Sequence, residues 1–391
     1  MVQRTVVFPI FPDARQAEAL AKTAQLYKEA QQHCIDVAWE MENLSAINLH
    51  KKVYAPLKAK LGLKSQYLCS ARNRAVENVK AAKKLSKKGR TVSKPELKSV
   101  QIRLDARTLS FDKPRKIASI ATQHGRIKIP LVWHKHARRY SDWDCKAGEI
   151  GINRKGKWVL RLIFEKEIVK PARNGKIIGV DRGIKRAVVS SDNRFIGERE
   201  WKEHERKILS CMSKLQSAGT PSAKRHLKKS AGRLKRFKGN CDHIVAKELL
   251  SGLQPGDTIV LEQLTNIRKR CGEKGQVRKK QRAHMGRWSF KRVENAINYG
   301  AESRGIYVEY VDPHYTSQTC SQCNIVLKAN RKSQSLYSCS CGLTLNADLN
   351  AARNISDKWC IANGYAPGLP VNQPIVANSK IQLQAFDFSR E

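Results

Sequence analysis

The run Thr5–Ile10 (TVVFPI) is short and rich in β-branched residues, and it predicts a strand ended by Pro12. From Asp13 to about Glu42 the spacing becomes helical, with Ala17, Leu20, Ala21, Ala24 and Tyr27 on one face. A second helical stretch is predicted from about Ser65 to Leu85, running out into basic residues around Gly89. Beyond Ser99 the period falls towards two. Val100–Leu104, Ile117–Thr122, Arg126–Ile129 and Trp158–Phe164 read as strands, separated by turn residues such as Gly125 and Gly156. A strand, then helices, then several strands predict a β-barrel interrupted early by a helical insertion.

The pattern changes after Pro171–Gly175 (PARNG), which reads as a linker. Lys176–Asp181 (KIIGVD) predicts a buried strand, Arg182–Lys185 a tight turn and Arg186–Ser191 a returning strand. Long basic helices are expected from about Glu200 to Leu253, and an apolar strand at Asp257–Leu261 (DTIVL). An amphipathic helix at Trp288–Arg304, a strand at Ile306–Val311 and a short helix from Ala347 to about Trp359 complete the pattern. The tail from Gly364, with Pro367, Pro370 and Pro374, reads as extended or disordered.

Charge narrows the partner. The 391 residues carry 75 Lys+Arg against 34 Asp+Glu, a formal +41. Such an excess repels itself unless a polyanion neutralises it, which points to DNA, RNA or both. With no long apolar run and no lipidation signal, a membrane is not expected as partner. Met1–Pro12 lacks the features of a secretory signal, so the eleven cysteines are expected as thiols in a reducing compartment, the prokaryotic cytoplasm. Seven of them (Cys34, Cys69, Cys145, Cys211, Cys241, Cys271, Cys360) lack ligand spacing and read as buried or incidental.

Two groups of residues carry chemistry. Asp181 and Glu262 each end an apolar strand, where a carboxylate either caps a turn or helix or faces a cleft and binds a cation. Asp348 opens a helix, where an acid also meets the helix dipole favourably. Hydrolysis of a phosphodiester needs carboxylates converging from separate elements around two hard cations about 3.5–4 Å apart. The second group is Cys320 and Cys323 (C-x2-C) with Cys339 and Cys341 (C-x-C), two close pairs that suit one closed tetrahedral zinc site of structural role.

Basic clusters suggest where nucleic acid would lie. Between Lys224 and Lys238 there are eight basic residues and no acidic ones. On a helix, Ala223, Leu227, Ala231, Leu234 and Phe237 gather on one side, expected to pack on the core. Arg225, Lys228, Lys229 and Arg236 are among the cations left to meet phosphate. Arg268–Arg287, interrupted by Gly272 and Gly275, reads as a mobile basic loop or lid.

The runs HYTSQTCSQC (His314–Cys323) and CSCGLTLNADLNAARNI (Cys339–Ile355) resemble the C-terminal signature of the TnpB family, transposon-encoded RNA-guided nucleases related to type V CRISPR effectors. GVDRGI (Gly179–Ile184) and IVLEQL (Ile259–Leu264) are similar to that family's first and second RuvC motifs. Trp288–Pro313 fits as well, and so does the opening FPIFPDARQAEAL. Two positions depart from the family pattern: the C-x-C pair, and Asn324 where the family usually has Gly.

The resemblance implies an α+β multidomain fold. An N-terminal barrel (1–12 and 97–170) would hold a helical insertion (13–96). An RNase H-like RuvC domain (171–313 and 343–360) would follow, with a zinc module (314–342) inserted. It further implies that Asp181, Glu262 and Asp348 hold two Mg²⁺ and that the four cysteines hold one Zn²⁺. A guide RNA from the transposon end would select double-stranded target DNA, and one RuvC site would cut it, leaving a 5′ phosphate and a 3′ hydroxyl. Association with the nucleoid is expected when DNA is bound. A guided repressor that does not cut, an RNA-independent transposase and a general zinc-ribbon binding protein stay open as alternatives.

Overall fold

Strand β1 (Val2–Pro9) buries every second side chain, among them Val6 and Phe8, and pairs antiparallel with β7 (Trp158–Lys166), Val6 opposite Leu162. A computed structural model describes residues 1–99, 101–169, 171–184, 186–265, 286–287 and 290–365. The chain divides into two units, Met1–Glu167 and Ile168–Glu391.

In the first unit, β1 and β7 join β6 (Asp144–Ile152) and β2 (Gln101–Leu104) in a four-stranded sheet of order β1-β7-β6-β2. Strands β3 (Leu109–Asp112), β4 (Ile117–Thr122) and β5 (Gly125–Pro130) form a second, antiparallel sheet. The helices between β1 and β2 are α1 (Ala14–Trp39), α2 (Ala46–Leu61) and α3 (Ser65–Ser86). A reciprocal cap starts α1, with the Asp13 carboxylate accepting from Gln16 N at 2.8 Å. Tyr27 of α1 meets Tyr67 of α3 edge-on, ring centroids 6.2 Å apart. Arg103 donates two bonds to Glu77, tying β2 to α3.

The sequence pattern predicts no element at 46–61, yet α2 is there. Its apolar contribution is only Leu49, Val53 and Leu57, and Pro56 interrupts the pattern. A Ser45 cap, accepting from Asn48 N at 3.0 Å, starts the helix. Strand β6 also goes unpredicted. Its sequence DCKAGEIGI is polar and glycine-bearing, and pairing with β7 on one side and β2 on the other makes it a strand.

The second unit is built on a five-stranded sheet of order β10-β9-β8-β11-β12. Strands β8 (Ile177–Asp181), β11 (Thr258–Glu262) and β12 (Tyr307–Val311) run parallel, and β9 (Val188–Ser190) and β10 (Phe195–Ile196) return antiparallel. On one face, Ile178, Val180, Ile259 and Leu261 pack with Val245, Ala246, Leu249 and Leu250 of α5 (Pro221–Ser251) and Val293 and Ile297 of α6 (Phe290–Glu302). On the other, Val260 and Val311 pack with Ile355, Trp359 and Cys360 of α7 (Ala347–Ala362). The β11 run TIVL is buried throughout because helices cover both faces.

Between β10 and β11, α4 (Arg199–Ala218) and α5 form a helical hairpin. The sequence reading expects the apolar side of 223–237 to pack on the core. Instead, that half of α5 packs on α4, with Leu227, Leu234 and Phe237 only half-buried and Ala231 exposed, while α4 has no fully buried residue. Contact with the sheet belongs to the other half of α5, from Val245 to Leu250. Among the described residues no helix is long and apolar enough to cross a membrane. The lid reading at 268–287, apart from Gly286 and Arg287, lies outside the described residues, as do Cys271 and the tail beyond Tyr365.

Candidate active site and metal centre

The three acids come from three elements. Asp181 is the last residue of β8 and Glu262 the last of β11. The parallel register sets Leu261 beside Val180, so the next step along both strands brings the two acids together at the C-terminal ends. Asp348 sits in the first turn of α7, whose Asn346 cap accepts from Asp348 N at 2.9 Å and Leu349 N at 3.3 Å. Helix α7 lies against β8 with almost no gap. A side chain on Gly179 would meet the Ala352 carbonyl at 2.0 Å, so glycine is required two residues before Asp181. Each of the three acids keeps part of its surface open to solvent.

Like charge and burial show in the titration of this group. The Asp181 carboxyl is pushed up to about 8, first by burial, then by the neighbouring Glu262 and Asp348 carboxylates, with Arg331 and Arg182 opposing. Burial also raises Glu262, against the Thr316 hydroxyl and the Arg182 and Lys358 charges. Three acids from separate elements, each with part of its surface open to solvent, offer the oxygen donors that a divalent cation requires, so the residues present fit such an ion.

The partners of these acids are residues that sequence reasoning did not single out. The Thr316 hydroxyl donates to Glu262 Oε1 at 2.6 Å, and Arg331 Nη2 donates to Asp348 Oδ1 at 3.1 Å. Arg182, fully buried, donates from Nη2 to the Glu262 carbonyl and from Nη1 to Glu294 Oε2 at 2.8 Å, joining the ends of β8 and β11 to α6. Thr316 lies inside HYTSQTC and Arg182 inside GVDRGI, so the motifs contained them without revealing what they touch.

The four cysteines converge. Their sulfurs all lie within 4.8 Å of one another, with Cys320–Cys341 and Cys323–Cys339 each 3.6 Å apart. Zn–S bonds of about 2.3 Å in a tetrahedron need sulfurs about 3.8 Å apart, so this cluster could hold zinc. The Cys341 backbone N–H directed at Cys339 holds that thiol down to about 6, while the neighbouring Cys323 and Cys341 thiols are raised. Both departures from the family pattern are accommodated. Asn324 adopts the left-handed conformation (φ 60°) that glycine would supply, and its N–H closes the knuckle on the Cys320 carbonyl at 2.9 Å. In the C-x-C turn, Gly342 N closes on the Cys339 carbonyl at 3.1 Å. Among the described residues these thiols are the one set of three or more ligand groups that draws together so closely.

Comparison with known proteins adds the relatives. A family model described as Cas12f1-like, TNB domain, matches residues 290–355, and one described as Uncharacterized protein MJ0013 family matches 23–118. The chain is 28% identical over 260 residues to TnpB-like protein MJ0751 of Methanocaldococcus jannaschii, covering 62% of this chain and 90% of that protein. To the CRISPR-associated endodeoxyribonuclease Cas12f1 of Sulfoacidibacillus thermotolerans it is 29% identical over 224 residues, 52% of this chain and 51% of the relative. The putative RNA-guided DNA endonuclease InsQ of Escherichia coli K12 is 28% identical over 228 residues, 54% of this chain and 55% of that protein. The chain is similar to TnpB-like and Cas12f proteins.

The chain thus spans about half the length of the Cas12f1 and InsQ relatives it matches. Among solved structures, a Cas12f1–sgRNA–target DNA complex shares its fold at TM-score 0.58 and 14% identity, covering 91% of this chain and 98% of that one. The mini-RNA-guided endonuclease Cas_phi3 does so at TM-score 0.50 and 13% identity, covering 91% and 92%. Like those, this chain is a mixed α+β multidomain protein. Its Arg225, Lys228, Lys229 and Arg236 all lie exposed on α5, in the half that packs on α4.

Proposed function

We propose that this protein is an RNA-guided DNA endonuclease with a single RuvC site. The observation that carries the reading is the meeting of Asp181, Glu262 and Asp348 at one end of the parallel strands, where the charges of Glu262 and Asp348 act on Asp181. The sheet order and α7 support an RNase H-like domain. The two sheets of the first unit support a barrel formed by 1–12 and 97–170 around the insertion 13–96. In the second unit, 171–313 with 343–360 form the nuclease domain and 314–342 the zinc module. The relatives' names support guided cleavage, with an RNA from a transposon end as guide and double-stranded DNA as target.

Asp181, Glu262 and Asp348 would hold two Mg²⁺. When bound, these supply an activated water and charge stabilisation at the attacking and leaving oxygens of the phosphodiester. The protein contributes the rest. β8, β11 and α7 fix the three carboxylates, and Thr316 bonds one oxygen of Glu262. Arg331 bonds one oxygen of Asp348. The exposed cations Arg225, Lys228, Lys229 and Arg236 of α5 meet nucleic-acid backbone. The zinc is structural, since four thiolates leave no open position.

The test is co-expression with RNA from the genomic flank and challenge with plasmids bearing a guide-matched target beside randomised bases. Mg²⁺-dependent depletion of particular flanks, lost in Asp181→Ala, is the expected result. Target binding without depletion would identify a guided repressor, and activity surviving RNase treatment would identify an RNA-independent transposase.

A further inference from the structure

Helix α7 contributes more to the acid site than Asp348. Asn350, Asn354 and Lys358 succeed one another at four-residue intervals and form a line along one side of the helix. All three bond main-chain carbonyls of the segment that follows β12. Lys358 Nζ reaches the carbonyls of Asp312 at 2.9 Å and His314 at 3.3 Å. Asn354 Nδ2 reaches those of Thr316 at 2.8 Å and Thr319 at 2.6 Å, and Asn350 Nδ2 reaches Thr319 at 2.7 Å. Both asparagines are buried.

The held segment is not relaxed. Tyr315 takes a left-handed conformation (φ 63°) although its side chain is exposed. That turn places the next residue, Thr316, inward. Thr316 is 4% exposed, and its hydroxyl donates to Glu262 Oε1 at 2.6 Å. The Pro313 carbonyl, 3.0 Å from the same hydroxyl, competes for its one proton, and the carboxylate oxygen is the nearer acceptor.

We propose that the Thr316 hydroxyl is a positioning group. It occupies Oε1 of Glu262, fixes the rotamer of that side chain and leaves Oε2 to face a divalent cation. The side-chain line on α7 makes this possible by holding the Thr316 backbone in place. One helix therefore supplies the third acid and orients the second. The inference rests on the reading of Glu262 as a metal-binding acid.

The experiment measures Mn²⁺ binding to the full chain by electron paramagnetic resonance, with zinc content and thermal midpoint as controls, in Thr316→Val, Thr316→Ser and Glu262→Gln. Valine matches threonine in shape but lacks the hydroxyl, and serine keeps it. Thr316→Val is expected to weaken Mn²⁺ binding about tenfold or more, the usual loss when a partner of a metal ligand is removed. Thr316→Ser is expected to stay within about threefold of the parent, with both controls unchanged. Parent-like binding in Thr316→Val, or equal loss in both variants, would overturn the proposal. If Glu262→Gln itself bound Mn²⁺ as the parent does, the metal-site reading would fall instead, so the two failures are distinguishable.

Discussion

The thiol cluster and the carboxylate group are both candidate cation sites in the same unit, and they are built in opposite ways. The thiols lie on two tight knuckles of a small ribbon whose buried cluster is Cys320, Tyr337, Cys339 and Ala347. Half of that cluster is thiol, so a bound metal would stand in for a core. The carboxylates stand at the ends of strands and a helix whose packing is extensive and independent of them. There the fold is the support and the ion is the guest. The thiols are drawn within 4.8 Å, whereas the acids repel one another and stay open to water.

The largest effect should come from the ribbon. Stripping zinc with a chelator, or Cys320→Ser, removes a binding free energy of about 10–16 kcal/mol in small zinc modules. Limited proteolysis is then expected to cut within 314–346 and spare the sheet, while removing Mg²⁺ alone exposes no new cleavage site. Equal protection of 314–346 with and without zinc would erase the distinction between the sites.

Next in size is the loss of an acid. Asp181→Ala is expected to lower plasmid cleavage by roughly a thousandfold. In the absence of divalent ions the same variant should melt no lower than the parent, because it removes a carboxylate that two neighbours repel. A melting temperature that falls on substitution would mean that Asp181 supports the fold rather than the ion.

The pH dependence follows from the same carboxyl. Its pKa in the fold is about 8, above its ordinary value of 3.8, so between these limits the folded chain binds more protons than the unfolded one. The Asp181 contribution to metal-free stability is therefore fully present below about pH 4 and is lost as pH rises through about 8. Cation binding runs the other way, tightening as protons cease to compete. Melting the metal-free protein from pH 5 to 8.5, with Asp181→Asn as reference, isolates this contribution. A flat difference between the two proteins would contradict it.

The mildest probe leaves both sites untouched. Replacing Arg225, Lys228, Lys229 and Arg236 with alanine should weaken nucleic-acid binding and reduce the salt slope by about three to four. Zinc content and Mn²⁺ affinity should not change, because these side chains are exposed on the half of α5 that packs on α4.

How far the sequence could be read depended on whether a signal was local. Strand β4 falls at Ile117–Thr122 as its alternation predicts, and α3 extends only one residue past the predicted Leu85. Helix α2 was hidden by Pro56, and β6 by glycines and charges that only its two neighbouring strands turn into a strand. The basic half of α5 was read correctly as amphipathic, but periodicity does not say what an apolar face will meet, and it meets α4.

By itself, then, the sequence determined the apolar strands ending in acids, the paired cysteines and the excess of positive charge. Spacing along the chain encodes periodicity, and it brings the members of each cysteine pair within reach of one metal. Only the tertiary structure decided that Asp181 and Glu262 stand on adjacent parallel strands and that Arg331 reaches Asp348. It alone brought Thr316, 54 positions from Glu262, within 2.6 Å of that carboxylate. These relations join residues far apart in sequence, set by how the strands pair and how closely α7 approaches Gly179, and no local pattern carries that information.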